Sequence, residues 1–373
     1  AHTLFNTPHR LARVRASEYL IRNDLFSPEA LSINELISPE QLVTQYIKKL
    51  LDYPGTLQVM DFADGKVQLV CVRARADGML VGSQLRELHN HLPRSDVRVA
   101  ALFRKDHPII PTGDTVIQQG DEVFFIAAKH CITSMMSEFR RFEPGYQNVV
   151  IAGGGHVGER LAEAIETRCQ VRIIEMDKHR CHHLSSCLNN TLVLNGNASD
   201  RSMLIEENIA RTDLFVAVTN DDNVNIMSAL LAKRLGARKT MALISNPAYL
   251  ELMQGYDIDV AISPQLVTLG VLLTYVRRGD VASVHSLRRG AAEAIEAVAH
   301  GDATISKVVG RKISEINLPK GATITAVIRG EEVMMSEDHL EIQSEDHVII
   351  FVVDKKHIAA VERLFQVSSG FFK

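Results

Sequence analysis

Long apolar runs, regularly spaced cysteines and a strong excess of one charge are all missing from this sequence. No uninterrupted apolar stretch approaches 18 residues, so we expect no membrane-spanning helix. The five cysteines follow no regular spacing, which favours reduced thiols in the cytosol over a disulfide framework. The formal net charge of −4 disfavours general binding to nucleic acid. Because the first residues, AHTLFNTPHR, do not resemble a signal peptide, we expect a soluble cytoplasmic protein without direct membrane insertion.

Two signatures of nucleotide-dependent enzymes are also missing. The sequence has no GxxxxGK[ST] loop for phosphoryl transfer. It also has no Tyr-x-x-x-Lys pair that would serve a dehydrogenase as proton donor. We therefore expect no catalytic residues and a binding protein that is not an enzyme. The alternative is an NAD-dependent oxidoreductase, which would consume NADH with a carbonyl substrate.

The most informative segment that is present is NVVIAGGGHVG, from Asn148 to Gly158. An apolar strand is followed by Gly153, Gly155 and Gly158 in GxGxxG spacing and then by a helical pattern, which is the dinucleotide-binding fingerprint in its required setting. The next apolar strand, VRIIE, ends at Glu175, where a carboxylate is expected to bind an adenosine ribose. A carboxylate at this position repels a 2′-phosphate, so the sequence favours NAD or adenine nucleotides over NADP.

Other candidate pocket residues follow the ends of the predicted strands, because doubly wound sheets bind ligands there. They are Gly154, His156, Val157, Asn197, Thr219 and Asn220. We expect His156 to contribute its backbone N–H at the helix start rather than its ring. For Asp221 and Asp222, helix capping and ligand contact are both open.

The segment HRCHHLSSC places His179, His183 and Cys187 at helical i, i+4, i+8 spacing. This spacing raises the question of a metal site. Zinc sites usually have a fourth ligand and closer cysteine pairing. We therefore expect an exposed polar helix face and no metal.

Two copies of a long repeat run through the chain. The motif ISP begins at Ile37 and again at Ile262, and the apolar strands GDEVFF and EDHVII begin at Gly120 and Glu345; both pairs are 225 residues apart. A period of this length indicates tandem domains rather than a solenoid. A counterpart of Gly153 would precede the first residue. We therefore expect an N-terminally truncated protein in which most of the first nucleotide-binding half is missing.

The order of the patterns predicts the fold class. Strands and helices alternate after residue 148, which calls for an α/β fold with a Rossmann-like, doubly wound parallel sheet; the segments that follow each copy of ISP predict small α+β modules. The predicted strands of the sheet are 148–152, 170–175, 191–195, 213–218 and 239–244, and the helices are 156–168, 178–188, 200–207 and 223–235. The predicted domains are 1–53 (remnant of the first Rossmann unit and its helix), 54–141 (first small module), 142–147 (linker), 148–279 (second Rossmann unit and its helix) and 280–373 (second small module).

With these motifs in place, the sequence resembles a known family. The segments GGGHVG, IMSALLAKRLGA, VAISP and SLRRGAAEAIEAVAHGD are similar to those of the RCK (KTN) family of Trk potassium-uptake regulatory subunits, over essentially the whole chain. The resemblance implies a cytoplasmic regulator, peripheral to the inner face of the cell membrane, that docks on a potassium-translocating membrane subunit. It also implies that NAD(H) or ATP/ADP bound in the Rossmann pocket biases the gate of that membrane subunit. The same resemblance leaves an alternative to a separate subunit: the chain would then be the regulatory part of a channel polypeptide.

The resemblance also implies roles for particular residues. The nucleotide contacts of the family fall on Gly153 to Val157, on Glu175 and on Thr219 and Asn220. Arg13 matches a strand-end arginine of the family, for which phosphate binding and a surface ion pair are both open. The chain has Gly196-Asn197 where the family usually has Gly-Asp.

Oligomer contacts are implied for the helix that follows each ISP motif, residues 39–51 and 264–277. In a homo-oligomer, a dimer or tetramer of RCK units, these helices would cross to a partner unit. Packing within the same unit is the alternative, because periodicity does not separate the two. The apolar positions are Leu42, Val43, Ile47 and Leu51 in the first helix and Leu266, Leu269, Leu273 and Val276 in the second.

Overall fold

The chain forms two compact units, and each is assembled from two separate stretches of sequence. The computed structural model describes residues 7, 9–15, 19, 22–27, 30–92, 96–105, 107–141, 143–253, 258–276 and 280–366. The first unit comprises Ala1–Lys49 and Tyr146–Thr268, and the second comprises Leu50–Gly145 and Leu269–Lys373.

Strands and helices are numbered along the chain. The strands are β1 (Leu11–Arg13), β2 (Glu35–Ile37), β3 (Thr56–Phe62), β4 (Val67–Arg73), β5 (Val97–Arg104), β6 (His107–Ile109), β7 (Glu122–Ala128), β8 (Asn148–Ala152), β9 (Gln170–Glu175), β10 (Thr191–Asn195), β11 (Leu214–Ala217), β12 (Lys239–Leu243), β13 (Val260–Ile262), β14 (Val281–Leu287), β15 (Ala292–Ala299), β16 (Ala322–Arg329), β17 (Glu332–Met335) and β18 (Asp346–Val352). The α-helices are α1 (Asn23–Phe26), α2 (Pro39–Asp52), α3 (Leu88–His91), α4 (Ile132–Phe139), α5 (His156–Ile165), α6 (Lys178–Cys187), α7 (Arg201–Glu206), α8 (Asp222–Arg234), α9 (Pro247–Leu252), α10 (Pro264–Val276) and α11 (Ile358–Phe365).

A parallel sheet in the order β10-β9-β8-β11-β12-β13 forms the centre of the first unit. Its strands are nearly continuous apolar runs, such as VVIA in β8 and LFVA in β11, because parallel strands in such folds are covered on both faces. The strand order reverses between β8 and β11, so the carboxyl ends of these strands mark the switch point at which doubly wound sheets bind ligands. The predicted α/β class is confirmed.

The helix after the glycine loop is shorter than the sequence pattern predicts. Helix α5 ends at Ile165 instead of residue 168, and the next residue, Glu166, is buried. Its carboxylate accepts the N–H groups of Asn189 and Asn190 at 3.2 and 2.9 Å. These contacts hold the start of β10, and the chain turns at Glu166 rather than continuing as a helix.

Two further helices differ from the prediction. In the first small module the pattern of SQLRELHNHL predicts a single helix, but this segment forms a 3-10 turn over Leu85–Glu87 followed by the short α3. Helix α9 is absent from the prediction, although its start carries two ordinary signals. Pro247 occupies the first turn, and the Asn246 side chain accepts the N–H of Ala248 at 3.0 Å.

The short parallel pair β1–β2 repeats the pairing of β12 with β13. Arg13 pairs with Ile37, as Leu243 pairs with Ile262. Arg13 and Leu243 therefore occupy equivalent positions in the two repeats. Helix α2 follows β2 in the same way as α10 follows β13.

The second unit contains the two small modules, whose sheets have the same topology. The orders are β3-β4-β7-β5-β6 and β14-β15-β18-β16-β17, all antiparallel. The repeat extends to an ion pair between a half-buried arginine and a buried aspartate: Arg104 binds Asp121 and Arg329 binds Asp346, with closest N–O distances of 2.8 and 2.7 Å. The tandem repeat inferred from sequence is confirmed at this level.

The two small modules share one hydrophobic core. Buried residues of both sheets form a single cluster, in which the rings of Phe124 and Phe351 lie 5.7 Å apart. At its edge the Arg288 guanidinium lies 4.3 Å from the centre of the Phe103 ring and 2.7 Å from the Glu122 carboxylate. The sequence shows that the modules are repeats but does not predict that they pack on each other.

The two helices that follow the ISP motifs differ in their exposure. Along α2, Val43 and Ile47 are at most 1% exposed. Along α10, Leu269 and Val276 are 39% and 71% exposed. The predicted last residue of α10, Arg277, lies outside the described residues. Helix α10 is apolar but short, and no helix in the described part of the chain is long and apolar enough to cross a membrane.

Candidate nucleotide site

The glycine loop between β8 and α5 requires glycine at two positions for steric reasons. Gly153 has φ +103°, and a Cβ there would lie 2.9 Å from the backbone nitrogen of Thr219. A Cβ on Gly158 would lie 2.0 Å from the carbonyl oxygen of Gly153. The first glycine thus permits the tight turn, and the third lets α5 pack against that turn.

Gly155 is different, because a Cβ there would meet no atom of the described residues within 4 Å. It is the exposed N-cap residue of α5, with φ −65° and ψ −170°, a conformation open to any residue. The first N–H groups of a helix have no partner within the helix and lie at the positive end of its dipole. The exposed His156 and the half-buried Val157 continue this first turn. The start of α5 is therefore an open surface of backbone donors suited to an anion.

Glu175 lies directly against the glycine loop. One carboxylate oxygen accepts the N–H of Gly154 at 2.7 Å, and the other accepts the N–H of Asp177 at 2.9 Å. A carboxylate offers about four lone-pair sites, so each oxygen keeps acceptor capacity. Glu175 both orders the loop and presents acceptors at the carboxyl end of β9.

Arg180 is a residue of this site that the sequence analysis missed. From α6 its Nε donates to the carbonyl of Gly154 at 2.6 Å, and its terminal nitrogen donates to Glu159 at 2.7 Å. Burial would raise the pKa of Glu159, but Arg180 and His183 outweigh burial and lower that pKa, so the carboxyl stays ionised. No spacing signal identifies Arg180, because it stands among the other polar residues of α6.

Thr219 lies at the carboxyl end of β11 and is held by a buried side chain. Asn225, which is 1% exposed, accepts the N–H and the hydroxyl of Thr219 at 2.8 and 2.7 Å. Its amide nitrogen donates to the carbonyls of Thr219 and Leu243 at 3.0 and 2.9 Å. Asn225 thus fixes the loop after β11 to the end of β12. An asparagine one turn after the start of an apolar helical pattern is the sequence signal that could have identified Asn225.

The acidic pair after Thr219 has structural partners. Asp221 is the N-cap of α8 and accepts the N–H of Asn223 at 2.7 Å. Asp222 accepts the N–H groups of Ser245 and Asn246 at 2.9 and 2.7 Å, which ties α8 to the loop after β12. The Asp221 side chain therefore serves to cap α8, and the Asp222 side chain serves to hold the loop after β12.

The other predicted site residues lie at the edges of this arrangement. Asn220 is exposed beside Thr219. Asn197 is exposed after β10, and its side chain accepts the N–H of Ser199 at 2.9 Å. Asn195, which the sequence analysis overlooked, donates to the carbonyl of Glu175 at 3.0 Å. Arg13 is exposed at the end of β1, in the separate two-stranded sheet.

The histidine and cysteine residues of α6 do not group as their spacing suggested. His183 and Cys187 lie together with Glu159, with one ligand atom of each within 4.8 Å of the others. His179 is not part of this group.

Two family models match the chain. The TrkA-N domain matches residues 149–264, which contain the parallel sheet and the glycine loop. The TrkA-C domain matches residues 69–140 and 304–366, in the two small modules.

Curated relatives match along the whole chain. The Trk system potassium uptake protein TrkA of Halomonas elongata is 58% identical over 372 residues, which is 100% of this chain and 81% of that protein. Its counterpart in Vibrio alginolyticus is 53% identical over the same coverage. A solved structure, the GsuK RCK domain, covers 95% of this chain and 74% of its own with a TM-score of 0.52 at 15% identity, which shows a shared fold. The parallel sheet, the glycine loop, the paired repeats and the full-length identity to these relatives together place the chain in the TrkA family of Trk system potassium uptake proteins.

Proposed function

We propose that this chain is a nucleotide-sensing regulatory subunit of potassium uptake, not an enzyme. In this proposal it binds NAD(H), ATP/ADP or both at the glycine loop and gates a potassium-translocating membrane subunit of the Trk type. The observation that carries the proposal is the pairing of an open helix start at Gly155 with the Glu175 carboxylate at the switch point of the sheet. A related RCK-fold structure is a GsuK channel bound to NAD; it covers 95% of this chain and 62% of its own, with a TM-score of 0.51 at 15% identity.

Each group of the pocket has a role in the proposal. The N–H groups from Gly155 to Gly158 would bind the pyrophosphate, because a helix start favours anions. Glu175 would accept the ribose hydroxyls, and its charge would disfavour a 2′-phosphate. Thr219 and Asn220 would border the ligand at the carboxyl end of β11, the neighbouring strand across the switch point.

Three peripheral assignments belong to the same proposal. Asn197 would border the pocket from the end of β10, and Arg13 would neutralise a phosphate. The module boundaries at 53, 141, 147 and 279 would separate the Rossmann units from the RCK C modules. These assignments rest on the family pattern.

The partners are proposed from the exposure of α10. Its apolar residues Leu269, Tyr275 and Val276 are 39–71% exposed, and a second RCK unit would cover them in a dimer or tetramer. The assembly would act at the cytoplasmic face of the membrane. A nucleotide would bias the gate only by binding one arrangement of the paired units more tightly than another.

The experiment that tests the proposal compares two glycine-to-alanine variants. In the part of the chain that the structure describes, a Cβ at Gly155 or at Gly145 meets no atom within 4 Å, so both variants should keep the wild-type fold. In calorimetric titrations with NADH, ADP and ATP, Gly155→Ala should weaken binding by about tenfold or more, because the added methyl group occupies the surface that the pyrophosphate needs. Gly145→Ala should bind as the wild type does.

The outcomes separate the alternatives. Equal affinity in the wild type and Gly155→Ala would remove the glycine loop from the proposed site. A steady fall of nicotinamide absorbance with a carbonyl substrate would favour the oxidoreductase. Normal potassium uptake at low external potassium in a strain that lacks the subunit would refute the regulatory role.

A further inference from the structure

Three metal-ligating side chains meet between α5 and α6, beside the glycine loop but outside the proposed nucleotide contacts. Nε2 of His183 lies 3.1 Å from Oε1 of Glu159 and 3.6 Å from Sγ of Cys187. All three ligand atoms lie within 4.8 Å of one another. Since Glu159 comes from a different helix, sequence spacing alone could not assemble this group.

The two separations from His183 are close to the edges of a coordination tetrahedron. Zinc binds nitrogen and oxygen at about 2.0–2.2 Å and sulfur at about 2.3 Å, so ligand atoms at tetrahedral angles lie about 3.3–3.6 Å apart. The His183–Cys187 distance of 3.6 Å falls at the upper end of this range, and the His183–Glu159 distance of 3.1 Å lies just below it. A single imidazole nitrogen faces both other ligands, which is the convergence that one central ion requires.

The surroundings leave the required lone pairs accessible. Arg180 occupies Oε2 of Glu159 at 2.7 Å, while Oε1 is directed to His183. The His183 side chain is 51% exposed and Cys187 is exposed, so an ion can reach the group from solvent. Water can therefore supply the fourth ligand, as it does at zinc sites with three protein ligands.

We infer that Glu159, His183 and Cys187 bind one divalent cation of the zinc class, with water completing the tetrahedron. The mixed oxygen, nitrogen and sulfur donors favour a borderline transition-metal ion, whereas Mg²⁺ and Ca²⁺ require oxygen ligands. On binding, the Cys187 thiol loses its proton to solvent and the thiolate coordinates. His183 carries its remaining proton on Nδ1 and coordinates through Nε2. The site does not depend on nucleotide binding.

The test is a titration of the reduced full chain with Co²⁺, followed by displacement with Zn²⁺. A bound thiolate gives Co²⁺ an intense charge-transfer absorption that free Co²⁺ lacks. We expect this absorption to saturate at one equivalent and to disappear when Zn²⁺ is added. Because the ion binds the folded chain, zinc should also raise the melting temperature.

Matched variants locate the site. Cys187→Ser should abolish the absorption, and His183→Asn should weaken Co²⁺ binding by about tenfold or more. His179→Asn and Cys181→Ser, on the same helix, should bind as the wild type does. Absence of the absorption in the wild type, its persistence in Cys187→Ser, or its loss in Cys181→Ser would overturn the inference. Since His183 and Cys187 are not buried, unchanged melting of the metal-free variants serves as the folding control.

Discussion

Replacing Asn225 with alanine is expected to destabilise the first unit by about 3 kcal/mol. The Asn225 carboxamide is 1% exposed and makes four hydrogen bonds, three to Thr219 and one to the Leu243 carbonyl. Alanine would leave the Leu243 carbonyl, at a buried position, and the N–H of the half-buried Thr219 without these partners. An unsatisfied buried group costs about 1–3 kcal/mol, so two groups at about 1.5 kcal/mol each give the expected value.

Calorimetry and hydrogen exchange measure this effect at two levels. For a domain of about 150–250 residues, 1 kcal/mol shifts the melting temperature by about 2–4 °C, so the transition of the first unit should fall by about 6–12 °C. The Thr219 amide should exchange about a hundredfold faster, because each 1.4 kcal/mol is about tenfold.

The exposed Asn223, on the same helix, provides the matched control. Asn223→Ala should change the stability by no more than about 0.5 kcal/mol. If Asn225→Ala melted within about 2 °C of Asn223→Ala and left the Thr219 exchange rate unchanged, the role assigned to the carboxamide would be refuted.

Two further substitutions test the packing of the same unit. Gly158→Ala should cost about 1–3 kcal/mol and weaken nucleotide binding, because its Cβ would lie 2.0 Å from the Gly153 carbonyl oxygen; calorimetry measures both. Burial raises the pKa of Asp259, but the ammonium groups of Lys239 and Lys233 outweigh burial and hold that pKa below its usual value. Asp259→Asn should therefore cost about 1.5–3 kcal/mol at neutral pH. The difference in the free energy of unfolding between the wild type and Asp259→Asn should shrink only below about pH 4, because the Asp259 carboxyl then becomes protonated. Urea unfolding at a series of pH values measures this difference.

A different result would contradict each of these two predictions. If Gly158→Ala had the same melting temperature as the wild type, the start of α5 would be able to move away from the turn at little cost in free energy. A difference between Asp259→Asn and the wild type that stayed constant from neutral pH down to pH 2 would mean that the negative charge of Asp259 does not stabilise the fold.

Local patterns in the sequence predicted much of the geometry of the candidate nucleotide site. Gly153 and Gly158 follow from the steric demands of one turn, and Glu175 follows from the length of one strand–helix–strand unit. The structure places the carboxylate on the N–H of Gly154, next to the open helix start. Such features were predictable because a few neighbouring residues determine them.

The residues that hold the site together were not predictable in this way. Arg180 reaches the Gly154 carbonyl across 26 positions, and Asn225 reaches the Leu243 carbonyl across 18. Arginine and asparagine are common on helices, so their identity alone predicts no partner. Only the folded sheet shows which carbonyl each side chain faces.

The sequence by itself determined the alternation of strands and helices, the glycine turn and the tandem repeat, because hydrophobic periodicity and steric exclusion act over short stretches. The tertiary structure decided that the two small modules share a core through Phe124 and Phe351. It also brought Glu159 to His183 and Cys187, where spacing along one helix had suggested His179. Contacts of this kind depend on how separate elements pack, and packing is a property of the whole chain rather than of any window within it.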